Sequence, residues 1–63
     1  MSKNRLIKME RMVADDGSWR IEATYEDGFK TYWGIGQTER GSKRMLTVYA
    51  KQLGLKVTGN IAQ

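Results

Sequence analysis

Three cations, Lys8, Arg20 and Lys30, recur along the first half of the chain, with Thr24 and Tyr32 close to the last two. Brought side by side, they would form a surface of donors able to meet base edges in a DNA groove. Arg5, Arg40 and Lys43 add cations that could grip phosphates, which position a duplex without reading it. Two carboxylates, Glu10 and Glu22, stand among the first set. The plainer alternative is therefore a solvated face of mixed charge.

Catalysis fails on inventory. The 63 residues contain no His and no Cys, so neither a Ser-His-Asp nor a Cys-His arrangement can be built, and ordinary zinc sites are excluded. Glu10 and Glu22 read as solvated carboxylates, because a chain this short leaves little room for a cleft. The run from Gly36 to Lys43 has the setting of a phosphate-binding loop, between a strand and a helix. It reads Gly-Ser-Lys, however, where that motif demands Gly-Lys-Ser/Thr. The expectation is a protein that is not an enzyme and carries no cofactor and no metal.

What would position the cations is set by two turn signals, Asp15-Asp16-Gly17 and Glu26-Asp27-Gly28. Asp-Gly between strand-like runs marks a hairpin. A three-residue second loop, with Gly28 in a left-handed bulge position, pairs Tyr25 with Phe29, Ala23 with Thr31, Ile21 with Trp33 and Trp19 with Ile35. A two-residue loop would throw Trp33 onto the face of Arg20, Glu22 and Thr24. Since a one-residue slip flips every side chain, the three-residue loop is preferred. The same construction at Gly17 pairs Val13 with Trp19, Arg11 with Ile21, Met9 with Ala23 and Ile7 with Tyr25. One face then holds Ile7, Met9, Val13, Trp19, Ile21, Ala23, Tyr25, Phe29, Trp33 and Ile35. The other holds Lys8, Glu10, Met12, Arg20, Glu22, Thr24, Lys30 and Tyr32, as expected of a sheet covered on one side only. The aromatic cluster could serve as a base-stacking platform, but it reads better as core.

Beyond Gly36 the apolar period becomes helical, with Leu46, Tyr49, Ala50 and Leu53 on one stripe and Met45 beside it. Thr38 or Ser42 can cap its start and Gly54 can end it. The predicted fold is α+β: a three-stranded antiparallel sheet of two hairpins, with one C-terminal helix packed on one face. Residues 1–57 make a single domain, and 58–63 are expected to form a loose C-terminal tail.

A domain of this size has a thin core. That, and Met12 left apolar on a polar face, leads to an expectation of homodimerisation. The net charge of +4 is uneven: residues 1–13 hold four cations against one carboxylate, 14–35 two against five, and 36–63 five against one. Basic ends favour polyanions. No run of about 18 apolar residues suggests a membrane span, and the basic N-terminus lacks the apolar stretch of a signal peptide. A cytoplasmic, intracellular setting is expected. Double-stranded DNA is the favoured partner, ahead of RNA and other polyanions. The rival is a host protein, bound by a small regulator or inhibitor.

Residues 17–54 show an aromatic-rich strand, the Asp27-Gly28 turn, a second aromatic strand and a helix led by Thr38. This layout resembles the N-terminal arm-binding domains of phage and transposon tyrosine recombinases. The resemblance spans about two-thirds of the chain and lies in the pattern of elements. It implies a three-stranded sheet placed in the major groove of DNA, with Lys8, Arg20, Thr24, Lys30 and Tyr32 facing the bases. It also implies a small protein of phage or mobile-element type.

Overall fold

The computed structural model describes residues 4–63; Lys3, counted above among the N-terminal cations, lies outside them. Three main strands, β1 (Leu6–Val13), β2 (Trp19–Tyr25) and β3 (Lys30–Gln37), precede the helix α1 (Glu39–Leu53), and two short strands follow it, β4 (Val57–Thr58) and β5 (Ile61–Ala62). They form one antiparallel sheet in the order β3-β2-β1-β5-β4. The fold is α+β, with the helix packed on one face.

The two hairpins share one construction. Ala14 N–H donates to Ser18 O and Gly17 N–H to Ala14 O; likewise Tyr25 N–H donates to Phe29 O and Gly28 N–H to Tyr25 O, all at 2.7–2.9 Å. Gly17 (φ 84) and Gly28 (φ 89) take the left-handed bulge position, where a side chain would be strained. In each loop the aspartate before the glycine accepts the amide two residues on: Asp16 Oδ1 from Ser18 at 2.9 Å, Asp27 Oδ1 from Phe29 at 2.8 Å.

These loops fix the expected central register: Val13 opposite Trp19, Arg11 opposite Ile21, Met9 opposite Ala23, Ile21 opposite Trp33. Two bulges alter its ends. Between Leu6 and Lys8 the register shifts, so that Leu6 rather than Ile7 pairs with Tyr25 and packs on the core. At the end of β3, Gly34 (φ 62) and Gly36 (φ 86) bend the strand, and Trp19 pairs with Gln37 instead of Ile35. Ile35 is thereby turned outward and is 62% exposed. A Cβ on Gly34 would lie 2.8 Å from the Met45 thioether, so the glycine also seats the helix.

Met9, Ile21, Ala23, Leu46, Ala50 and Ala62 form the buried core, with Leu6, Tyr25, Trp33, Met45, Tyr49 and Leu55 packed around it. Trp33 meets Tyr49 edge-to-face at 4.9 Å. Val13 and Phe29, expected in the core, are exposed. They flank the turns, and a 15-residue helix, about 22 Å long, does not reach over both ends of eight-residue strands about 27 Å long.

Thr38, not Ser42, caps the helix: its Oγ1 accepts the Gly41 amide at 3.0 Å. At the other end Gly54 N–H donates to Lys51 O and Leu55 N–H to Ala50 O, the paired bonds of a Schellman cap. This reversal returns Leu55 to the core and leaves Leu53, expected to be buried, on the surface.

The expected loose tail, 58–63, is instead structured. Lys56 and Gln63 exchange two backbone bonds at 3.0 Å around the Gly59-Asn60 loop, and Met9 and Glu10 of β1 pair with Ala62 and Ile61. Ala62 is fully buried. A two-residue Gly-Asn loop is itself a hairpin signal, and it had a partner strand waiting in the outer edge of β1.

Arg11 sits on the core face, where its register places it, and is 8% exposed. Its Nε donates to Ser42 Oγ at 3.0 Å, Nη1 to Asn60 Oδ1 at 2.7 Å and Nη2 to Glu39 O at 3.1 Å. The guanidinium lies over the Trp19 ring, 4.9 Å from its centroid. One side chain thus joins β1, the first turn of the helix and the C-terminal hairpin through neutral acceptors.

Candidate nucleic-acid interface

Alternation along the strands puts Lys8, Glu10 and Met12 of β1, Arg20, Glu22 and Thr24 of β2, and Lys30 and Tyr32 of β3 on the face opposite the helix. Register arranges them in rows across the sheet: Lys8–Thr24–Lys30, then Glu10–Glu22–Tyr32, then Met12–Arg20. Ile61 of β5 extends the middle row.

Both carboxylates are committed to neighbours in this surface. Glu22 holds the Lys30 ammonium at 3.2 Å on one oxygen and accepts the Tyr32 hydroxyl at 3.2 Å on the other. Glu10 lies 3.6 Å from the Lys8 ammonium. Arg20 has no such pairing among the described residues. Its Nε is buried without a hydrogen-bond partner, and so is Thr24 Oγ1, two positions along the same strand face. A shallow depression of about 450 Å³ opens beside Arg20, lined also by Met12, Tyr32 and the Asp15–Asp16 turn. The Ser18 hydroxyl, then its amide, hold the Asp16 carboxyl below the usual range, with a smaller contribution from Arg20. The rim of the depression is anionic.

The eight residues singled out in the sequence divide into three places. Lys8, Arg20, Thr24, Lys30 and Tyr32 share the open face. Arg5 is exposed where the chain enters β1, its amide donating to Glu26 Oε1 at 3.2 Å beside the second turn. Arg40 and Lys43 project from the first two turns of α1, on the helix side of the sheet, where with Arg11 and Glu39 they line a second hollow of about 460 Å³. They cannot act as flanks of the open face, because the sheet lies between. Arg44 and Lys51, exposed on the same helix, were missed; their spacing from Arg40, three to four residues and multiples of it, was the available signal.

Among the described residues no three potential metal ligands converge, and no helix is long and apolar enough to cross a membrane. No family model, curated protein or solved structure matches the chain.

Proposed function

We propose that this is a small intracellular DNA-binding protein, of phage or mobile-element type, that lays the open face of its sheet against double-stranded DNA. The observation that carries the reading is the gathering of Lys8, Arg20, Thr24, Lys30 and Tyr32 in adjacent rows of that open face. Donors and acceptors spread over adjacent strands suit the edges of successive base pairs in the major groove. Three-stranded and two-stranded sheets are able to enter that groove. In this reading Arg20, Thr24 and Tyr32 meet the bases, while Lys8 and Lys30 exchange their glutamates for phosphates. The same face would serve the recombinase arm-binding domains that the chain resembles.

A second reading rests on the two ion pairs. With Lys8 and Lys30 neutralised by Glu10 and Glu22, the face is nearly uncharged and offers Met12, Tyr32 and Arg20 beside an acidic turn. That composition suits a protein surface, as expected of a regulator or inhibitor of a host protein.

Fluorescence anisotropy with selected and random duplexes separates the two. For a DNA reader, Arg20→Ala costs about 1–3 kcal/mol on a preferred site and relaxes its specificity. If Arg20→Ala, Lys8→Ala and Lys30→Ala all bind every duplex as the parent does, the sheet does not read DNA and the protein-partner reading replaces it.

A further inference from the structure

We propose that the outward face of α1 is a second surface for duplex DNA, contacting the phosphate backbone without regard to sequence. This proposal stands apart from the sheet-face reading. At 100° per residue, Arg40, Lys43, Arg44, Thr47 and Lys51 fall within an arc of about 100°, beside the arc of Ser42, Leu46 and Ala50 that is buried on the sheet, with Lys43 about 20° from Ala50. All five are exposed. Arg40 to Lys51 spans about 16 Å of helix, a length over which a duplex carries about nine phosphate charges.

What distinguishes this stripe from the sheet face is the state of its charges. The ion pairs among the described residues are Lys8–Glu10 and Lys30–Glu22, both on the sheet. Among the described residues, none of the four helix cations has a carboxylate within ion-pair distance. Glu39, the one acid of the helix, lies about 40° beyond Lys43 around the axis and shares a hollow with Arg40 and Lys43, at the first turn where it complements the helix dipole. Four unneutralised cations in line complement a phosphate backbone and keep their full counterion-release contribution, whereas each sheet lysine must first give up a partner.

A lipid surface fits less well. Interfacial helices insert an apolar face beside their basic one, and here Met45, Leu46, Tyr49 and Ala50 are already spent on the sheet. Only Val48 and Leu53 remain exposed on the helix among large apolar residues.

The test is anisotropy of a labelled random-sequence duplex over a salt series, using the full chain and the double variant Arg44→Gln/Lys51→Gln. Both positions are exposed, so the variant keeps the fold. The expected result is weaker binding to every duplex and a log–log salt slope flattened by about 1.8, or 0.9 for each lost contact. An unchanged slope overturns the proposal. So does tighter binding of the parent to phosphatidylserine vesicles or to poly-aspartate than to the duplex. Weakening by the helix variant while Arg20→Ala, Lys8→Ala and Lys30→Ala all bind preferred and random duplexes as the parent does supports the helix face and sinks the sheet reading. The converse sinks the helix face alone.

Discussion

Arg11 Nη1 donates to Asn60 Oδ1 at 2.7 Å, across 49 residues of chain. The bond fastens the C-terminal hairpin to the middle of β1, and it gives one of the donors of a buried guanidinium a neutral acceptor. Asn60→Ala leaves that donor without its partner and should cost about 1–3 kcal/mol. For a domain of this size each kcal/mol lowers Tm by about 4–8 °C. Asn60→Asp keeps the acceptor and adds a counter-charge, so its Tm should match or exceed the parent's at neutral pH. Thermal unfolding followed by circular dichroism reads both. A Tm for Asn60→Ala equal to the parent's would show that the bond contributes nothing.

The glutamates of the open face hold its lysines down. Replacing Glu10 and Glu22 with Gln releases Lys8 and Lys30, and in the DNA reading both then meet phosphates. Non-specific affinity should rise, because neither lysine then has to leave a partner before it meets a phosphate. The gap between preferred and random duplexes should narrow, because phosphate contacts position without specifying. Titrating the double variant against both duplexes measures both effects. A non-specific affinity equal to the parent's would show that these lysines do not reach DNA.

Asp16 supplies a pH dependence. Its carboxyl is held below the usual range, first by the Ser18 hydroxyl and then by the Ser18 amide. A depressed folded-state pKa contributes stability that is complete above the ordinary aspartate range and is lost as pH falls through the folded value. Ser18→Ala removes the larger cause and keeps the amide bond. Its urea midpoint should therefore fall less steeply than the parent's between about pH 5 and about pH 2. Parallel curves would show that the hydroxyl does not hold the charge.

Much of the architecture was legible because two short signals each settle a long register. Asp16-Gly17 and Asp27-Gly28 set the hairpins, and the apolar alternation of Met9, Ile21, Ala23 and Trp33 chose the buried face. What escaped was decided by contacts between distant segments. Ile7 and Ile35 obey the alternation but fall at bulges, one of them made by a glycine under Met45. Arg11 shares the parity of Met9 and Val13, yet nothing local reveals that Ser42, Asn60 and the Glu39 carbonyl converge on it. The open-face residues were grouped correctly by register. Arg40 and Lys43 stand at the start of the helix, and which side of the sheet that helix covers was not written in their own spacing.

The paired glycines near the end of β3 have a consequence for how the protein keeps to itself. With β5 closing the far side of β1, the outer edge of β3 is the one long row of backbone donors and acceptors left open in the described sheet. Such an edge invites another chain to add on and propagate. Gly34 and Gly36, both at positive φ, break that row after Trp33 and twist it out of line. A visiting strand would find only the Lys30–Trp33 stretch to pair with, led by a charged lysine. The kink that seats Met45 thus also serves as a guard against fibre growth.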